Sequence, residues 1–264
     1  MDMEILRYKN ADIHFTSHGK GRVVVLLHGF LENLTMWDEM IPKLASNYRV
    51  IAIDLLGHGK SENIGYIHTM EDQALMVKAV LDSLNLRKYV LIGHSMGGYV
   101  CLSFANLFDE NVKGLCLMNS TPLEDSSEKK INRDRAIQAV KQNYKTFIRM
   151  SVPNLWAAYH LDKFKTEIDL TVEQALQMQP QGIIASLEGM KLRKNKVAVL
   201  KKLNAPTQLI IGQNDSTIDV NATTESGENT STEIIIFPDG HMSHIENKTA
   251  LTETLQLFIR KCYR

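Results

Sequence analysis

Thirty basic and thirty acidic side chains balance in this chain of 264 residues, so no global field draws it to nucleic acid or to an anionic membrane surface. The length suits one large α/β domain with a sizeable core. Three cysteines, two of them (Cys101 and Cys116) inside apolar stretches, and the lack of a CxxC pair or an HExxH motif give no case for a disulfide framework or a metal site.

No basic leader followed by an apolar stretch and a small-residue cleavage site opens the chain. Its apolar runs are also too short for a bilayer, so a cytoplasmic protein without membrane contact is expected. In chain order, two short strands near Ile5 to Tyr8 and Ile13 to Thr16 open the fold. Further strands are expected at Val23 to Leu27, Val50 to Ile53, Tyr89 to Ile92, Val112 to Met118, Gln208 to Ile211 and Glu233 to Phe237. Between them Met36 to Ser46, Met70 to Leu84, Met96 to Phe108 and Thr249 to Cys262 carry helical spacing of apolar residues. Such alternation is the pattern of a mostly parallel sheet with helices on both faces.

From Ser120 to about Leu203 the alternation lapses and the chain reads as helices alone, an insertion rich in bulky apolar side chains. We expect a core made of residues 1–119 and 204–264 and a helical cap made of 120–203. The charged run SSEKKINRDR and the basic stretch KLRKNKVAVLKK read as solvated helix faces. Asn221 to Thr232, NATTESGENTST, is polar enough to be a mobile loop or a frayed helix end.

The segment VLIGHSMGGY, Val90 to Tyr99, ends a strand in a serine fenced by glycines. A serine held on a sharp strand-to-helix turn needs very small flanking residues, which Gly93 and Gly97 supply, and the turn lifts its hydroxyl above the sheet. Ser95 is therefore a candidate nucleophile. A serine hydroxyl needs a base, and the base needs a carboxylate to orient it. His241 in FPDGHMSHIE is the favoured base and His244 its local competitor. His94 reads as a packing residue, and His28 and His58 as structural histidines in glycine-bounded loops. Asp215 in LIIGQND lies just past a buried strand and is the candidate acid, although a helix-capping role is equally ordinary there and Asp219 could serve the same turn. The other acid position of such folds, after Val112 to Met118, holds Asn119, which cannot carry a charge. The glycine-containing loop LLHGFLEN offers the backbone N–H of Phe30, and the helix start offers that of Met96, as donors to a developing oxyanion.

LLHGF, DLLGHGKS, GHSMGG, IIGQND and GHMSHIE, in that order and at these separations, resemble the α/β-hydrolase superfamily from about Val23 to the C-terminus. Within it the chain is similar to small bacterial carboxylesterases and enol-lactonases. The resemblance implies an eight-stranded, mostly parallel sheet, a cap inserted after the sixth strand, and a cofactor-free triad of Ser95, Asp215 and His241 with oxyanion amides at Phe30 and Met96. It also implies that Asp54, Gly57, His58, Gly59 and Ser61 shape a loop and do not react. The expected reaction is hydrolysis of a small carboxylic ester through an acyl-enzyme. A carbon–carbon bond hydrolase or lyase keeps the same triad, and a ligand-binding receptor with a slow relic triad is an alternative from another class. Trp156, Tyr159 and Met178 are the cap side chains expected to line the substrate pocket. The expected partner is a small-molecule ester, and a homodimer is compatible with the sequence.

Overall fold

The computed structural model describes residues 3–264. Eight strands form one sheet: β1 (Met3–Tyr8), β2 (Ala11–His18), β3 (Val23–Leu27), β4 (Arg49–Ile53), β5 (Tyr89–His94), β6 (Val112–Met118), β7 (Thr207–Gly212) and β8 (Glu233–Phe237). Their order is β1-β2-β4-β3-β5-β6-β7-β8. The β1–β2 and β2–β4 pairs are antiparallel and the others parallel.

The central strands are rich in β-branched residues and buried throughout, as strands covered on both faces must be. Because successive side chains point to opposite faces, β3 divides its residues between two layers. Val23, Val25 and Leu27 join the layer of Val77, Val80, Val100 and Phe104, which belong to α2 (Met70–Ser83) and α3 (Met96–Leu107). Val24 and Leu26 join Trp37, Leu44, Leu251, Leu255 and Phe258, supplied on the other face by a 3-10 turn (Leu34–Trp37), α1 (Ile41–Ala45) and the long C-terminal helix (Lys248–Cys262). Each such side chain, fully buried, contributes about 1.5–3 kcal/mol.

One expected helix is broken. Instead of Met36 to Ser46, the chain makes a 3-10 turn over Leu34–Trp37 and then α1. Pro42 explains the break: lacking an N–H, it is tolerated only in the first turn of a helix, where it sits here.

Between β6 and β7 come four helices, α4 (Ser127–Ser151), α5 (Lys165–Ala175), α6 (Pro180–Leu192) and α7 (Val197–Lys202), and no strand among the described residues. The Ser126 hydroxyl caps α4 by accepting from Lys129 N at 3.2 Å. At Asn143 (φ −159°, ψ 90°) α4 bends, and the Asn143 side chain caps the second segment by accepting from Thr146 N at 3.0 Å. Basic residues of this region enter ion pairs: Arg193 lies 2.7 Å from Asp125 and over the ring of Tyr99, and Lys196 lies 2.9 Å from Glu71. The polar tract after Asp219 is not a loop. It forms α8 (Val220–Glu228), because the Asp219 carboxylate caps it by accepting from Ala222 N at 2.9 Å. Ser243–Glu246 makes a single turn, α9, before the C-terminal helix α10. Among the described residues no helix is long and apolar enough to cross a membrane.

Parallel strands start their outgoing loops at one edge, so β3, β5, β6, β7 and β8 deliver Phe30, Ser95, Asn119, Asp215 and His241 to the same end of the sheet.

Candidate active site

Ser95 stands at the end of β5 with φ 49° and ψ −113°, a backbone conformation that costs a non-glycine residue of order 1–3 kcal/mol and persists only where surroundings enforce it. The surroundings are tight. A Cβ at Gly93 would fall 2.3 Å from the Gly97 carbonyl oxygen, and one at Gly97 would fall 2.5 Å from that of Leu27. Ser95 N is tied to Met118 O at 2.9 Å, and its own carbonyl accepts from the Ser120 hydroxyl at 2.7 Å. Immediately after it, Met96 N lies in the first turn of α3, where no intrahelical acceptor exists. Phe30 sits in a turn closed by Glu32 N to Gly29 O at 3.3 Å, with Leu31 at φ 64°.

His241 is buried, and its Nδ1 lies 2.6 Å from Asp215 Oδ2. A carboxylate accepts, so it is Nδ1–H that donates to Asp215, and Nε2 is the ring nitrogen turned away from it. Asp215 caps no helix, since Asp219 caps α8, and its two oxygens divide between its own loop and His241. Oδ1 accepts from Thr217 N at 2.8 Å and Ile218 N at 3.2 Å, closing its own loop, while Oδ2 serves His241 and also accepts from Asn119 Nδ2 at 3.2 Å. Desolvation pushes the Asp215 carboxyl upward, but His241 and these donors outweigh it and hold it below the usual carboxylate range.

Two residues that the sequence reading set aside hold the site together. Asn119, at φ 47° after β6, donates to both Asp215 and the Gly240 carbonyl (3.1 Å), so it joins Asp215 to the loop that carries His241. His94 does more than pack: Nδ1 lies 2.6 Å from Glu32 Oε2 and Nε2 2.9 Å from His241 O. Two more were missed outright. Glu246, fully buried, accepts from Gly240 N (3.1 Å) and Met242 N (3.3 Å) through one oxygen and from Ala157 N (3.0 Å) through the other. Glu32 accepts from Gly29 N at 2.6 Å. The signal available for Glu246 was its position in GHMSHIE, five residues past His241. For Glu32 it was its position in LLHGFLEN, two residues past Phe30.

His244 has no carboxylate on its ring; burial lowers it to about 4, and its Nδ1 is without a partner. His28 and His58 have the structural roles expected of them. His28 accepts from Leu55 N at 2.9 Å and donates to Gly29 O, and His58 donates to Leu56 O. Of the three cap side chains, Trp156 and Met178 are buried, and Trp156 backs directly onto Gly240. Tyr159 is not brought to Ser95. Its ring is 60% exposed and its hydroxyl donates to Asp239 at 2.8 Å, because the chain turns outward through a 3-10 turn at Ala158–His160. Among the described residues one group has the spacing of metal ligands, Glu32, His94 and His244, within 4.8 Å of one another.

A hydroxyl on a strained turn, an imidazole oriented by a buried carboxylate and two free amides at one sheet edge can perform nucleophilic acyl transfer. Comparison with known proteins agrees in fold. The chain is 30% identical over 249 residues to the dihydrolipoyllysine-residue acetyltransferase component of an acetoin cleaving system from Pseudomonas putida, covering 91% of this chain but only 64% of that protein. It is 27% identical over 285 residues to a 2-hydroxy-6-oxononadienedioate/2-hydroxy-6-oxononatrienedioate hydrolase of Escherichia coli, covering 96% of this chain and 92% of the relative. A thermophilic esterase from Thermogutta terrifontis superposes with a TM-score of 0.92 over the full length of both chains at 28% identity. Since the family model described as the alpha/beta hydrolase fold also matches residues 22–248, the chain belongs to the α/β-hydrolase family.

Proposed function

We propose that this protein is a serine hydrolase of small carboxylic esters, with Ser95 as nucleophile, His241 as general base and acid, Asp215 as the orienting carboxylate, and the amides of Phe30 and Met96 as oxyanion donors. The observation that carries the reading is the 2.6 Å contact between His241 Nδ1 and the buried Asp215, at the sheet edge where Ser95 emerges in a strained turn. In this reading His241 Nε2 takes the Ser95 proton as Oγ attacks the ester carbonyl. The tetrahedral oxyanion is held by the two amides, and His241 returns the proton to the leaving alcohol. Water then repeats the sequence on the acyl-enzyme, releasing the acid. The esterase from Thermogutta terrifontis supports an ester substrate.

A carbon–carbon bond hydrolase on the same scaffold is the second reading, favoured by the relative from Escherichia coli. A panel of p-nitrophenyl esters of graded acyl length, assayed with Ser95→Ala beside the wild type, tests the proposal. Steady turnover that falls by on the order of 10⁶ in the variant is expected. A variant retaining more than a few per cent of activity removes Ser95 from the mechanism. A single slow event per wild-type chain makes the protein a receptor, and no ester turnover at all favours carbon–carbon cleavage.

A further inference from the structure

Phe30 and His241 come from loops far apart in sequence, yet an oxyanion hole and a base must hold a fixed mutual distance. One chain of hydrogen bonds runs between these loops. Gly29 N donates to Glu32 Oε2 at 2.6 Å, the same oxygen lies 2.6 Å from His94 Nδ1, and His94 Nε2 lies 2.9 Å from the His241 carbonyl. Both side chains are almost wholly buried. We propose that Glu32 and His94 form a buried carboxylate–imidazolium strut that sets the oxyanion loop against the backbone of the base, which makes both of them positioning residues for the hydrolase proposed above.

The protonation state follows from the partners. A carbonyl oxygen bears no proton, so His94 Nε2 must donate to His241. On the other side Glu32, lowered to about 2 by its surroundings, is a carboxylate that can only accept, so its Oε2 takes hydrogen bonds from both Gly29 N–H and His94 Nδ1–H. Protons on both ring nitrogens make His94 an imidazolium. The pairing holds Glu32 at about 2 and raises His94 against the opposing effect of burial. His28, His244, His241 and Asp215 are the other titratable groups around the pair. The strut also passes through the residue before Ser95, so one ion pair touches the loops of the oxyanion donor, the nucleophile and the base. A metal on Glu32, His94 and His244 is the competing reading of the same cluster. It would require His94 to surrender the Nδ1 proton that bonds Glu32, and the hydrogen-bond pattern gives no room for that.

Ring 15N–1H correlation spectra of the wild-type protein at neutral pH test the ion pair directly. Two ring protons are expected on His94, assigned by their loss in His94→Gln. A single proton on Nε2 overturns the proposal. Kinetics test the positioning. Glu32→Ala is expected to lower kcat on the order of 10²-fold, the scale of an ångström of misplacement, with KM within about threefold, since both loops act chiefly on the transition state. Glu32→Gln keeps the shape but only one of the two bonds, because Gly29 N and His94 Nδ1 meet at the same oxygen: an amide oxygen there accepts from Gly29 N, and an NH2 there donates to Nδ1. The variant is expected to recover about tenfold of that kcat while His94 drops to one ring proton. A Glu32→Ala protein that melts lower but keeps its kcat shows a packing role only and sinks the proposal. If Glu32→Ala does not fold, the wild-type spectrum and Glu32→Gln still decide. Ser95→Ala is the control: activity surviving there refutes the hydrolase reading itself, whereas loss there with normal kcat in Glu32→Ala refutes only the strut.

Discussion

Ser95 and His241 meet at one sheet edge but are held there by different means. The serine is placed by a continuous segment, β5, Gly93, Gly97 and the start of α3, and locked by the adjoining strands: Met118 O holds its N–H, the Ser120 hydroxyl holds its carbonyl, and Leu27 O crowds Gly97. The histidine is fixed from afar. Its N–H is held by Leu155 O at 2.9 Å and its carbonyl by His94, and Glu246 grips the amides on either side of it while reaching Ala157. Leu155 and Ala157 belong to the helical insertion between β6 and β7. Ser95 is thus held by one continuous segment and the strands beside it, and His241 by contacts that reach into the insertion.

The largest effect should come from the base. His241→Ala is expected to cost on the order of 10⁶ in turnover, as much as losing Ser95, because members of such a triad act as a unit. His244→Ala should be far milder, since no carboxylate orients that ring. Comparable collapse in His244→Ala, measured as kcat/KM on one p-nitrophenyl ester, would exchange their roles. Asp215→Asn comes next, at about 10⁴, because an amide can present its NH2 to His241 Nδ1 and hold the wrong tautomer. Activity within tenfold of wild type would leave Asp215 as a loop cap only.

A smaller pair of substitutions separates the two modes of support. Gly97→Ala places a methyl 2.5 Å from Leu27 O, so the elbow must shift; a stability loss of about 1–3 kcal/mol and a large loss of activity are expected together. Glu246→Ala leaves the elbow intact and loosens the loop of the base. There kcat should fall about 10–100-fold while a fluorophosphonate still labels Ser95, more slowly. If Gly97→Ala binds and turns over normally, the elbow is not the rigid element of this comparison.

The same contrast explains what the sequence could tell. Strand positions were legible because the buried runs are short, β-branched and continuous, and Val23–Leu27 and Val112–Met118 match residue for residue. Ser95 was legible because its strain is relieved by glycines two positions away. Asp215 and His241 needed the order of motifs, since nothing local to either names the other. Pro42 was underweighted in reading Met36 to Ser46 as one helix, and the polar tract read as a mobile loop or a frayed helix end is α8, because Asp219, named only in passing, caps it. Asn119 was read only for the charge it lacks, although its amide serves both Asp215 and Gly240. Glu32 and Glu246 act through partners that only folding brings near. That Tyr159 is largely exposed and bonded to Asp239 was not legible, because an aromatic side chain in the insertion does not say which way the chain turns.

The smallest effect concerns pH, and it divides the molecule along the same line. Burial holds His28, His58, His68 and His244 below the usual histidine range, His68 and His244 at about 4. None of the four lies in the insertion. A histidine kept neutral in the fold binds its proton in the unfolded chain first, at about 6.5. As pH falls from 7 towards 5, the unfolded state therefore gains protons that the native state refuses, and stability falls. Each of His68 and His244 should contribute on the order of 1–2 kcal/mol of that loss. Asp215 and Glu32 act lower, because their depressed values stabilise the fold above about pH 4 and that stabilisation is lost only as pH falls further. The raised value of His94 works the other way, adding stability below its unfolded value and losing it as pH rises through the folded one. The net expectation is a melting temperature that drops between pH 7 and 5, partly restored in His68→Gln or His244→Gln. Hydrogen exchange at pH 5 should show the loops carrying His28, His58 and His68 opening before α4 and α6. A melting temperature flat across that range, or first opening in α4 and α6, would mean that these buried rings do not set the acid limit of the fold.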